Sequence, residues 1–123
     1  MARILIIDDD DDLRAVVSHV LDSEHQVETA NDGLAAVATI RAGRRYDIIL
    51  SDVNMPRLDG IQLYWQLIEL APEQAHRMVF MSGGDYELAA RHQLTTGGAP
   101  TLAKPFSPAR LLALVADLLA LWE

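Results

Sequence analysis

Apolar and polar positions alternate between two periods along the chain, and the alternation outlines a set of elements. Ile4-Leu5-Ile6-Ile7 is a short unbroken apolar run rich in β-branched residues. Such a run suits a strand covered on both faces, as in a parallel sheet. Leu13, Val16, Val17, Val20 and Leu21 then recur at steps of three and four, which marks one face of a helix. Asp11 or Asp12 would cap that helix or charge its first turn. Gln26 to Ala30 alternates and predicts a second strand, and Asn31-Asp32-Gly33 a turn. Leu34 to Ile40 predicts a second helix ending near Gly43. Asp47 to Ser51 predicts a third strand, stopping at Asp52, with Pro56 and Gly60 bracketing the loop that follows. Ile61 to Leu70 predicts a third helix that stops before Pro72. Met78 to Met81 predicts a fourth strand, ending at Ser82-Gly83-Gly84, and Tyr86 to Leu94 a fourth helix. Thr101 to Ala103 predicts a fifth strand, ending at Lys104-Pro105. Ser107 then caps a last helix that carries Pro108 at its first position.

This strand–helix order implies an α/β fold, a doubly wound sandwich around a mostly parallel sheet. The 123 residues suit one compact domain, and half of them are hydrophobic, enough for a packed core. A net charge of -8 disfavours binding to nucleic acid or to an anionic membrane. No apolar stretch is long enough to span a bilayer, and no signal peptide opens the chain. The absence of cysteine excludes disulfides, thiolate metal sites and cysteine nucleophiles.

In doubly wound folds, polar chemistry gathers at the carboxyl ends of the strands. Here strand one delivers Asp8 and Asp9, strand three Asp52, strand four Ser82 and strand five Lys104. Two carboxylates about 4 Å apart repel by roughly 4 kcal/mol at an effective dielectric near 20, and three do worse. The cluster therefore calls for a cation, a shared proton, or both. Oxygen ligands without nearby histidine or cysteine favour a hard ion such as Mg²⁺, which takes one or two carboxylates together with phosphate oxygens. Asp52 can act as a nucleophile that forms an aspartyl phosphate. Asp8 and Asp9 would hold the metal, Lys104 would neutralise the phosphoryl group, and Ser82 would donate to one of its oxygens. Gly83 and Gly84 would let the backbone come close.

With these pieces in place the chain resembles a response-regulator receiver domain of two-component signalling, CheY-like, over nearly its whole length. The resemblance rests on the Asp8-Asp9 pair, on Ser51-Asp52-Val53-Asn54-Met55-Pro56 with Asp59-Gly60, on Ser82, and on Lys104-Pro105-Phe106. It implies a flavodoxin-like sheet of strand order 2-1-3-4-5 with five helices, residues 1–123 forming a single receiver domain without an output domain. It implies that Asp52 accepts phosphate from a histidine kinase or a phosphotransfer protein, and that the domain is cytoplasmic. The domain would not be a classical enzyme but would catalyse its own phosphorylation and dephosphorylation. It further implies Mg²⁺ held by Asp9, Asp52 and the main-chain carbonyl of Asn54, with Asp8 acting through water. One departure is Thr101, where many receivers carry Tyr or Phe as a rotameric switch. The Met81-Ser82-Gly83-Gly84 turn and the Pro100-Thr101-Leu102 approach resemble receivers attached to hybrid sensor kinases.

Other readings compete. Asp8 to Asp12 could form a solvated acidic edge, and Asp10 to Asp12 are read as helix-start charges. A phosphatase resembling the haloacid dehalogenase group would use Asp8 as nucleophile with Asp10 two residues on, but it lacks the Gly-Thr that should follow. A phosphorylation-independent binding module is the third possibility. His19, His25, His76 and His92 show no metal-ligand spacing and are read as surface residues, as is Arg44-Arg45. Trp65 and Tyr64 are read as packing along helix three or partly exposed. In the last helix Leu111, Val115, Leu118 and Trp122 form one stripe, which Leu112, Leu114, Leu119 and Leu121 widen. That width fits either deep burial or a docking surface, shared with the helix over 86–94, for a downstream protein or a dimer partner.

Overall fold

In the computed structural model, which describes residues 2–83 and 99–122, five parallel strands form one sheet in the order β2-β1-β3-β4-β5. The strands are β1 (Arg3–Ile7), β2 (Gln26–Ala30), β3 (Ile48–Asp52), β4 (Met78–Ser82) and β5 (Thr101–Ala103). Among the described residues five helices accompany them: α1 (Asp11–Asp22), α2 (Gly33–Arg41), α3 (Gly60–Leu70), α4 (Pro72–Ala75) and α5 (Pro108–Leu121). This is the flavodoxin-like arrangement that the element order implied. The helix expected over 86–94, with His92 and Gly84, lies outside the described residues.

The unbroken apolar runs are explained by burial on both faces. Leu5, Ile7, Ile49, Met78 and Phe80 pack with Val37, Ile40, Leu63 and Leu67 of α2 and α3. On the other face Ile4, Ile6, Ile48, Leu50, Val79 and Met81 pack with Val17 and Leu21 of α1 and with Leu111, Val115 and Leu118 of α5. Each buried Leu or Ile contributes about 1.5–3 kcal/mol, so this two-sided core dominates the stability.

Four local readings change. Asp10, not Asp11 or Asp12, caps α1: its carboxylate accepts from the backbone N–H of Asp12 at 2.9 Å and of Leu13 at 3.2 Å. Asp11 and Asp12 remain as first-turn charges. Val16 is exposed, whereas Val17 and Leu21 are buried, because a helix on one sheet face needs only a narrow stripe. β3 runs one residue further than expected and takes in Asp52, whose partner in β4 is Met81. Pro72 ends α3 but also opens the single turn α4 at a position where its missing N–H costs nothing.

The leucines of the last helix are mostly covered. Leu112, Leu114, Leu119 and Trp122 pack partly buried against the core, and of its leucines Leu121 alone stands well out. The Arg77 guanidinium lies 5.5 Å from the Trp122 ring centre. Tyr64 is buried and meets Phe80, while Trp65 is half-exposed on α3. His19 and His76 are exposed; His25 is half-buried, and its Nδ1 accepts from the Ala2 N–H.

Candidate phosphoryl-acceptor site

The carboxyl ends of β1, β3 and β5 bring their acids and the lysine together. β1 ends at Ile7, so Asp8 is the first residue past the strand, and it is fully buried. Asp9 follows and is exposed. Asp52 closes β3 and retains only 8 % of its surface. One carboxylate oxygen from each of Asp8, Asp9 and Asp52 lies within 4.8 Å of the others. Lys104, just past β5, places Nζ 3.0 Å from Asp8 Oδ2 and 3.3 Å from Asp52 Oδ2. The remaining oxygens meet backbone donors: the Asp10 N–H reaches Asp8 Oδ1 at 2.9 Å, and the Asn54 N–H reaches Asp52 Oδ1 at 3.2 Å.

The charge balance follows from this geometry. Lys104 pairs with Asp8 and Asp52, and Asp9 adds a third carboxylate beside them, so the site carries surplus negative charge. Burial pushes the Asp52 carboxyl above its ordinary range; Lys104 pulls it down, Asp8 pushes it up again, and the net direction is up. Burial alone would lower the Lys104 pKa, but its hydrogen bond to Asp8 and the charges of Asp52 and Asp8 outweigh that and raise it. A hard divalent ion would relieve the surplus. The donor set fits one: three carboxylates, all oxygen.

Ser82 ends β4 beside this cluster, and its carbonyl accepts from the Lys104 N–H at 2.7 Å. A Cβ at Gly83 would meet no protein atom within 4 Å. Gly83 lines an open groove of about 490 Å³ together with Asp10, Leu13, Val16, Lys104, Pro105 and Phe106. The tight approach is at Gly60, where a Cβ would stand 2.4 Å from the Asp52 carbonyl oxygen. Asp10 stays outside the cluster, its carboxylate engaged in capping α1.

Two arginines that the sequence did not single out steady the loops. Arg14 donates to the Asp8 carbonyl at 2.7 Å and pairs with Asp11. Arg57 pairs with Asp32, a buried carboxylate that also caps α2. The Asp11-to-Arg14 spacing of three was a readable helix-pair signal; the Arg57–Asp32 contact had none.

The family model for the response regulator receiver domain matches residues 4–116. The chain is 32% identical over 120 residues to the transcriptional regulatory protein CpxR homolog of Haemophilus influenzae, covering 97% of this chain and 51% of that protein. It is 34% identical over 114 residues to the transcriptional regulatory protein FixJ of Bradyrhizobium diazoefficiens, covering 92% and 54%. The chain thus spans about half the length of these curated relatives. Among solved structures, chemotaxis protein CheY4 of Vibrio cholerae superposes with a TM-score of 0.83 at 31% identity, covering 96% of this chain and 98% of that one. The signal receiver domain of a signal transduction histidine kinase from Syntrophus aciditrophicus gives 0.85 at 28% identity, covering 98% and 91%.

Proposed function

The chain belongs to the response regulator receiver domain family, a phosphorylatable aspartate switch, and on that premise we propose that Asp52 is the acceptor, taking its phosphoryl group from a phosphohistidine on a histidine kinase or phosphotransfer protein. The observation that carries this reading is the ammonium of Lys104 standing within 3.3 Å of Asp52 and 3.0 Å of Asp8, beside an oxygen-only acidic cluster.

In the transfer, an Asp52 carboxylate oxygen forms the new P–O bond while the P–N bond to the donor imidazole breaks, and the imidazole leaves with the electron pair. Asp8, Asp9, Asp52 and the Asn54 carbonyl would hold Mg²⁺, which when bound neutralises charge on the phosphoryl oxygens. Lys104 moves from bridging two carboxylates to pairing with the phosphoryl group, and Ser82 donates its hydroxyl to another phosphoryl oxygen. Hydrolysis later breaks the same P–O bond by attack of water, which releases phosphate and restores the carboxylate. The donor enters over the open groove between α1 and the Lys104–Phe106 segment, whose walls reach the lysine itself. A downstream protein or a second copy would read the state through α5 and the segment 86–94. The dehalogenase-like alternative loses ground because Asp8 is fully buried and the Asp10 carboxylate is engaged in capping α1.

The test is incubation with Mg²⁺ and acetyl phosphate, read by intact mass. The parent gains one phosphoryl group and Asp52→Asn gains none. Equal labelling of Asp52→Asn would overturn the assignment.

A further inference from the structure

The loop between β3 and α3 carries Asn54, yet it contains a backbone conformation that should not hold itself. Arg57 has φ 65°, and among the described residues it is the one non-glycine with positive φ. The Leu58 N–H reaches back to the Pro56 carbonyl at 2.7 Å, so Arg57 is the centre of a three-residue turn. A turn of that span with positive central φ is rare and strained for an L-residue. Such strain persists only where the surroundings over-determine it.

The surroundings are specific. The Arg57 guanidinium pairs with Oδ2 of Asp32, a carboxylate with only 5% of its side chain accessible. Oδ1 of the same carboxylate accepts from the Ala35 N–H at 2.8 Å and caps α2. Next to it Leu58 lies on Gly33 so closely that a Cβ there would come within 2.7 Å of the Leu58 carbonyl oxygen. The loop's far end is equally tight, at Gly60 against Asp52. The loop is thus bolted to the start of α2, and the ion pair is the polar bolt.

We propose that Arg57 and Asp32 are positioning residues: their ion pair holds the strained loop in the form that presents the Asn54 backbone to Asp52, and so sets how well the site takes a divalent cation. The inference rests on the reading of Asn54 as a metal ligand. Asp32 and Arg57 touch neither the cation nor the phosphoryl group and act through the loop.

The test uses unphosphorylated protein, so it is independent of which aspartate accepts phosphate. Asp32→Asn keeps a good helix cap but removes the charge. Arg57→Ala removes the guanidinium and keeps the strain, whereas Arg57→Lys keeps a cation. Amide exchange across residues 54–59 of metal-free protein is expected to quicken about fivefold in Asp32→Asn and Arg57→Ala. Mg²⁺ affinity by calorimetry is expected to weaken by about the same factor, with the double variant no worse than either single and Arg57→Lys largely restored. Earlier thermal unfolding with unchanged exchange and unchanged Mg²⁺ affinity would reduce the pair to a fold contact and overturn the proposal. A parent that binds no Mg²⁺ would overturn the metal reading, while the exchange measurement would still decide the latch.

Discussion

Two groups of buried or half-buried charge sit at different places on the same sheet, and they are balanced in opposite ways. On the edge strand β2, Glu28 accepts from Arg44 and from the Tyr46 hydroxyl at 2.9 Å, with Arg3 a further 3.9 Å away. Burial pulls its carboxyl up, but the Arg44 and Tyr46 hydrogen bonds win, and its pKa lies below the ordinary value of 4.5. Close by, Gln74 clasps the backbone of Tyr46, accepting from its N–H at 2.8 Å and donating to its carbonyl at 3.1 Å. Every demand there is met by the chain itself. At the carboxyl ends of the strands, Asp8 and Asp52 divide one lysine with Asp9 close beside them, and Asp52 is pushed up from 3.8. The contrast separates charge that serves the fold from charge left open for a ligand.

The comparison can be broken hardest at Lys104. Lys104→Met leaves Asp8 and Asp52 facing each other without their shared cation, and metal-free protein is expected to lose about 3 kcal/mol in urea unfolding. Mg²⁺ should bind more tightly to this variant, because a repelling positive charge is gone, while acetyl phosphate labelling falls. Weaker Mg²⁺ binding would show that the lysine does not face the cation. Gln74→Ala comes next: it strips partners from two buried backbone groups and is expected to cost about 2 kcal/mol, with Mg²⁺ affinity unchanged. A shift in affinity would mean the two regions are coupled.

The smallest effect is in pH dependence, and it carries opposite signs. The depressed Glu28 pKa adds stability above 4.5 that is lost as pH falls through the folded value, and Glu28→Gln should remove that slope at a cost under about 1 kcal/mol. The raised Asp52 pKa works the other way: its contribution is full below 3.8 and is lost as pH rises through the folded value. Metal-free Asp52→Asn should therefore be no less stable than the parent at neutral pH, and urea midpoints followed across pH will show whether the two slopes diverge.

Much of this was legible because period and position coincide. Ile4 to Ile7 and Met78 to Met81 suited two-sided strands, and each ends at a polar residue. That alone pointed Asp8, Asp52, Ser82 and Lys104 at one rim. What escaped was whatever depends on neighbours distant in sequence. Asp32 read as a turn residue because nothing near it announces Arg57. The crowding at Gly60 against Asp52 was equally hidden, since the sequence offered that glycine merely as a loop boundary. The Gln74 clasp of Tyr46 links residues 28 positions apart and has no local signature.

Lys104 and Asp8 are separated by 96 positions, and the strand that delivers the lysine is the sheet's outer edge. The acids on β1 and β3 therefore owe their counter-charge to the pairing of a strand at the rim of the sheet. Loosening that edge strand would leave mutually repelling carboxylates behind, so the integrity of the sheet's margin is part of what completes the site.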